Sequence, residues 1–276
     1  MLGTTMSEVA YILGHAEAEM RRLMLQAELL KPITERLLRE AGIKPGMRIL
    51  DLGSGAGDVA MLAATLVGPS GAVVGIDRSA DAIKAARERA SIGGHDNIRF
   101  HEGDIEDFID PLPFDLAIGR YVLIHQADPG AFIGSVAAHI QPGGSIAFHE
   151  PSISRFDKIF PSVELQQKCL DWIYAALASA GATLDTAENM GRYFDVADLE
   201  QPNLFCEILV GSDWKSPILA WLSSTVRTML PQIEMIGAAT DQQIEIETLE
   251  HRLREAVRIA NLQVVGPPQM CGWVRR

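Results

Sequence analysis

Cysteine, basic charge and long apolar runs are all scarce in this sequence, and each shortage removes a class of protein. The three cysteines, Cys169, Cys206 and Cys271, are odd in number and none stands in a C-x-x-C pair. That argues against a disulfide framework and against a thiolate zinc site, and a reducing cytoplasm is the expected compartment. Lysine and arginine total 24 against 36 aspartates and glutamates, a formal net charge of −12. Such a chain repels a polyanion wherever no local basic patch offsets it, so nucleic acid is not an expected partner. No uninterrupted apolar run reaches membrane length, and residues 1–22 lack the basic segment, apolar stretch and small-residue cleavage site of a secretory leader. The expectation is an unexported protein with no membrane insertion. No carboxylate and histidine constellation is spaced for a metal.

What is present is a large apolar share, 47% of 276 residues, enough to bury a sizeable core. Apolar residues recur at three- and four-residue spacing over residues 8–41, which predicts a helical N-terminal cap broken into two helices at Pro32. Strands then alternate with helices: strands at 47–52, 72–76, 98–101, 114–118 and 144–148, helices at 58–67, 80–90 and 131–139. Mostly apolar strands in that rhythm predict a parallel sheet covered on both faces. After Glu150 two helices, 161–180 and 186–199, interrupt the sheet as a lid over residues 151–200. The region 201–276 supplies a strand at 204–210, helices at 216–230 and 242–260 within an insertion at about 213–260, and a bent last strand. Pro267 and Pro268 cannot donate to a ladder, so that strand should bulge there or begin only after them. The fold class is thus α/β: a Rossmann-like, doubly wound, seven-stranded and mostly parallel sheet with a helical cap and helical lid insertions.

The most informative segment is Ile49-Leu50-Asp51-Leu52-Gly53-Ser54-Gly55-Ala56-Gly57-Asp58, a buried strand entering a glycine-rich turn. A dinucleotide pyrophosphate loop wants G-x-G-x-x-G, but the glycines here fall as G-x-G-x-G. This loop resembles motif I of the class I methyltransferases that use S-adenosylmethionine. Three further segments carry the resemblance: Asp77-Arg78 at the second strand's end, Phe100-His101-Glu102-Gly103-Asp104-Ile105 after the third, and Phe114 to Arg120 with the Gln141-Pro142-Gly143-Gly144 turn. Within that family the chain resembles the small-molecule branch akin to the ubiquinone/menaquinone C-methyltransferases, over roughly half its length.

The resemblance implies a donor-binding core over residues 42–150. The backbone of Gly53, Ser54 and Gly55 would pass beneath the methionine moiety, Asp77 would accept both ribose hydroxyls, and Asp104 would take the adenine amino group with Ile105 packed on the ring. Asp104 as a turn cap is the plainer alternative. Arg78 would lie over adenine or stay solvated. Arg120 would bind the methionine carboxylate, bind an acidic substrate, or make a salt bridge holding the lid. Arg22 and Gln26, four residues apart and so on one helical face, would close over the methionine end, or Arg22 would stay solvated.

Ligands of open α/β sheets sit beyond the carboxyl ends of the strands, so catalytic candidates are Arg120, His125 and Glu150. His125 would take a proton from the acceptor or make a structural hydrogen bond. Alternation allows only one of His149 and Glu150 to point straight into the cleft, and Glu150 is the expected one. Trp172, Tyr174, Tyr193, Phe194, Trp214, Trp221 and Met229 would line an apolar pocket or belong to the core. The expected activity is methyl transfer to a small, largely apolar metabolite, by a monomer or homodimer. The rivals are a non-catalytic S-adenosylmethionine-binding domain and, against the glycine pattern, a nicotinamide-dependent oxidoreductase.

Overall fold

The computed structural model describes residues 17–153 and 160–276. Among the described residues one seven-stranded sheet has the order β3-β2-β1-β4-β5-β7-β6. Its strands are β1 (Arg48–Leu52), β2 (Ala72–Asp77), β3 (Ile98–Glu102), β4 (Phe114–Arg120), β5 (Ile140–Pro151), β6 (Asn203–Gly211) and β7 (Val264–Arg275). β7 alone runs against the direction of the other six strands. The helices are α1 (Glu17–Glu40), α2 (Asp58–Val67), α3 (Ala80–Ile92), α4 (Pro129–Ala138), α5 (Glu164–Ser179), α6 (Met190–Val196), α7 (Pro217–Met235), α8 (Asp241–Ile244) and α9 (Leu249–Ala260), with a 3₁₀ turn at Leu123–His125.

Strand alternation sorts the core into two layers. Ile49, Leu116 and Ile118 point into the layer closed by α1, α2 and α3. Leu50, Leu52 and Ala117 point into the opposite layer, closed by α4 and α6. A third apolar cluster joins α5, α7 and α9 through Leu177, Ile218, Leu222, Leu253 and Val257. The direction of winding reverses between β1 and β4, and that switch point opens a crevice at the strands' carboxyl ends.

Four expectations need correction. The helical cap does not break at Pro32; α1 runs through it. Pro32 and Glu28, whose carbonyl loses its donor to the proline ring, both lie on the exposed face, where solvent is available to that carbonyl. Leu30, Ile33, Leu37 and Leu38 keep one buried face continuous across the proline, and tertiary packing outweighs the local penalty. Residues 242–260 are two helices, because Glu245 adopts a left-handed conformation (φ 50°) after the Thr240–Gln243 capping box. Helix α7 passes Pro231 and extends to Met235. Helix α6 is shorter than expected and lies away from the cleft: Phe194 packs edge-on against Phe148 in the sheet core, ring centroids 6.0 Å apart.

The prolines in β7 act as expected. Ile208 pairs with Pro268 but Val210 pairs with Val265, so β7 carries one extra residue in a bulge at the bend. Strand β5 ends at the Pro151–Gln269 pair, and no ladder bond to it is asked of either proline. The cap's residues before Glu17 lie outside the described residues.

Candidate active site

The crevice at the switch point is a cavity of about 840 Å³. Its floor is the loop after β1, its sides are the ends of β2 and β4, and its roof is the first turns of α1 with one face each of α5 and α7. Ten of the eleven candidate residues line it: Gln26, Gly53, Ser54, Gly55, Asp77, Arg78, Asp104, Ile105, Arg120 and His125. Glu150 does not.

The loop's backbone explains its glycines. Gly53 and Gly55 have φ of +58° and +50°, a region that costs a residue with a Cβ roughly 1–2 kcal/mol. A Cβ on Gly53 would also meet Val122 Cγ2 at 2.8 Å, whereas one on Gly55 would enter open space. Gly53 is small for packing; Gly55 leaves room for a ligand. Asp77 Oδ2 accepts from Gly55 N at 2.8 Å and Oδ1 from Ser79 N at 2.9 Å, which fixes the carboxylate at the cavity edge. Asp104 is not a turn cap; it pairs with Arg78, so each partly screens the other.

Arg22 and Gln26 do share a face. Arg22 donates to Glu19 through Nε and Nη2 at 2.8 and 2.7 Å, and through Nη1 to Gln26 Oε1 at 2.7 Å. All three are buried in the cavity roof. Arg120 is half-buried, and among the described residues its guanidinium has no hydrogen-bond or ion-pair partner. Among the described residues it makes no salt bridge to the lid. Burial lowers its pKa, against the attraction of Asp58 and Asp51.

Asp51 is the polar residue that sequence reasoning quoted but did not assign. It is buried in the cavity wall, and its Oδ2, like Ser54 Oγ, has no hydrogen-bond partner. Desolvation raises its pKa to about 8, opposed by Arg120. Its position as the last acidic residue before the glycines was the available signal. His125 sits at the end of the 3₁₀ turn, neutral, with burial lowering its pKa to about 4, helped by Arg22 and Arg78.

The cleft orientation expected of Glu150 is corrected. Its Oε1 accepts from the amides of Val122 and Leu123 at 2.8 and 2.9 Å, and Oε2 from Ile124 at 3.3 Å. The carboxylate holds the turn that carries His125, and burial raises its pKa to about 7. His149 is equally hidden: Nδ1 faces Thr34 Oγ1 and Nε2 faces Gln269 Oε1, each at 3.0 Å. Tyr121 lines the cavity at φ 59°, its hydroxyl donating to the same Gln269 oxygen at 2.7 Å. Of the aromatic and methionine candidates, Tyr174, Trp221 and Met229 reach the cavity, while Trp214 is exposed beneath Lys215. Among the described residues no group of His, Cys, Asp or Glu is placed to hold a metal, and no helix is long and apolar enough to cross a membrane.

A switch-point cavity with a non-phosphate glycine turn, an acidic β2 terminus and a helical roof defines a Rossmann-like methyltransferase domain. Residues 43–198 match the methyltransferase domain family, and the chain belongs to it. The family's methyl donor is S-adenosylmethionine. The orphaned polar atoms of Asp51 and Ser54 and the open space above Gly55 fit such a donor. Over 110 residues the chain is 36% identical to a ubiquinone biosynthesis O-methyltransferase of Bradyrhizobium sp., covering 40% of this chain and 42% of that one. It is 29% identical over 171 residues to a ubiquinone/menaquinone biosynthesis C-methyltransferase of Pseudomonas savastanoi, covering 59% and 62%. The chain thus spans less than two thirds of either curated relative. A Geobacter sulfurreducens S-adenosylmethionine-dependent methyltransferase, solved with S-adenosylhomocysteine, shares the fold at 20% identity and a TM-score of 0.52, covering 90% of this chain and 91% of that one.

Proposed function

We propose that the protein transfers a methyl group from S-adenosylmethionine to a small, largely apolar metabolite in the cytoplasm. The observation that carries this reading is one cavity in which the glycine loop, Asp77, the unpaired Arg120 and the apolar faces of α5 and α7 all meet. When bound, S-adenosylmethionine supplies an electrophilic methyl group on a positively charged sulfur. Asp77 accepts the ribose hydroxyls, and Asp104 with Ile105 receives adenine. Arg120 and Gln26, both on the cavity, meet the methionine carboxylate, and Asp51 meets the ammonium. Opposite charges thus face the two charged ends of one zwitterion.

The rest of the chain's work is alignment and exclusion of water. Orientation of two reactants contributes as much as roughly 7–11 kcal/mol, so a strong base is not obligatory. His125, held neutral by burial, is the titratable side chain offered to an acceptor proton in the physiological range. The roof from α5 and α7 is mostly leucine, isoleucine and aromatic side chains, with Gln166, Gln167, Asp171 and Thr225 among them, which favours a largely apolar acceptor.

Titration calorimetry with S-adenosylhomocysteine and with NAD tests the assignment. Binding of the nucleoside thioether and none of NAD is expected; the reverse overturns it. Methyl transfer is then read as S-adenosylhomocysteine released in the presence of apolar metabolites. Donor binding with no transfer to any of a broad metabolite set would favour the binding-domain reading instead.

A further inference from the structure

The proline bend of β7 has carbonyls to satisfy and lacks amides to do it with. Two buried glutamines supply the donors. Gln166 Nε2, from α5, donates to Val265 O at 3.1 Å, and Gln269 Nε2 donates to Pro267 O at 2.8 Å. Gln166 is 4% exposed and Gln269 is 0% exposed. Because a carbonyl only accepts, each amide is locked: turning it over would set oxygen against oxygen. Both Oε1 atoms must therefore point away from the bend.

The two oxygens have different fates. Gln269 Oε1 is consumed inside the fold by Tyr121 Oη at 2.7 Å and His149 Nε2 at 3.0 Å. Gln166 Oε1 has no hydrogen-bond partner among the described residues, yet it is not among the atoms sealed from solvent. For a side chain so buried, the open side is the cavity, which Gln166 lines together with Val265, Gly266 and Pro267. Its neighbours there on α5 and α7 include Leu170, Ile173, Ile218 and Leu222. A fixed acceptor thus stands in a largely apolar stretch of a wall that Gln167, Asp171 and Thr225 also line, and leaving it unmatched on ligand binding is costly.

We propose that Gln166 is a specificity-determining residue whose Oε1 accepts a hydrogen bond from the methyl acceptor, and that the substrate is an apolar molecule bearing a hydroxyl or an N–H group. This rests on the methyltransferase reading. A site built around a hydrogen bond rejects the analogue that lacks the donor far more strongly than an apolar pocket distinguishes one methyl group. An apolar wall without the glutamine would not.

The test uses matched pairs of probes on the full chain saturated with S-adenosylhomocysteine: 2-naphthol against 2-methoxynaphthalene, and indole against 1-methylindole, with affinities from ligand-observed NMR titration. In the wild type at least one pair should show a tenfold or greater preference for the donor-bearing member. Gln166→Leu and Gln166→Met should bring that ratio within twofold while leaving S-adenosylhomocysteine affinity unchanged. A wild-type ratio within twofold for both pairs, or no binding of any probe, overturns the proposal; so does a preference that survives in a folded variant. If neither variant folds, the wild-type ratios decide alone. Failure of S-adenosylhomocysteine to bind the wild type would instead bring down the methyltransferase reading, and the same pairs on the unloaded protein would still judge Gln166.

Discussion

The amide of Gly55 donates to Asp77 Oδ2 at 2.8 Å, so the glycine loop and the tip of β2 are joined by the carboxylate proposed to hold the ribose. One side chain both shapes the loop and faces the ligand. Asp77→Ala removes both roles, and Asp77→Asn keeps an oxygen for one of them. Charge-assisted hydrogen bonds contribute about 1.5–3 kcal/mol each, which corresponds to a tenfold or greater loss. The alanine variant should therefore bind S-adenosylhomocysteine at least tenfold more weakly, with asparagine between it and wild type. Unchanged calorimetric affinity in both would remove Asp77 from the site.

Gly55→Val tests the open space above the loop. The substitution places a branched side chain at φ +50° and fills a volume that no protein atom occupies. Stability should drop by about 1–2 kcal/mol from backbone strain, while donor affinity should be lost beyond what that strain explains. Comparison with Gly68→Val, also at positive φ with open space but at the far end of α2, separates the two effects. Equal donor affinity in the two variants would contradict the placement.

Donor binding should depend on pH through Asp51. Its folded pKa near 8 lies above the ordinary carboxylate value, so below pH 8 the empty site holds a proton on Asp51. Pairing with an ammonium requires the carboxylate form, so binding must expel that proton. Affinity for S-adenosylhomocysteine should rise as pH goes from about 6 to about 8, at most tenfold per pH unit. Asp51→Asn should flatten the profile. Calorimetry in buffers of differing ionisation enthalpy should detect proton release from the wild type only.

Glu150 makes a stability prediction. Its folded pKa, about 7, exceeds the unfolded value of 4.5, so the fold holds the proton more tightly. The associated stabilisation is complete below about pH 4.5 and is lost as pH rises through about 7. The melting temperature of Glu150→Gln should fall less between pH 5 and pH 8 than that of the wild type. Glu150→Ala strands three buried amides, and a loss of about 2–4 kcal/mol is expected in urea unfolding at pH 6. Identical pH slopes for wild type and Glu150→Gln would refute this reading.

For His125 the expected outcome separates turnover from binding. His125→Ala should slow methyl transfer, by as much as 10²–10⁴-fold if it takes the acceptor proton, with donor affinity retained. Because burial and two arginines lower its pKa to about 4, kcat should be level from about pH 5 to 8 on account of this residue. Full activity in the alanine variant would leave His125 a structural role.

Much of the fold was legible because its signals are local. The apolar β-strands, the glycine turn and the acidic strand ends are set by steric and solvation rules acting over a few residues, and their order dictates a doubly wound sheet. The same rules brought ten candidate residues to one cavity. Local rules failed at Pro32, where a penalty of one lost hydrogen bond on the solvent face was outweighed by a continuous buried stripe. They failed again at Glu150: alternation says which face a side chain leaves from, but not that three amides from the neighbouring turn will claim its carboxylate. The orphaned Asp51 oxygen, the unpaired Arg120 and the locked amide of Gln166 were likewise invisible in sequence. Whether a polar group is satisfied depends on partners distant along the chain, and only tertiary packing decides which of them arrive.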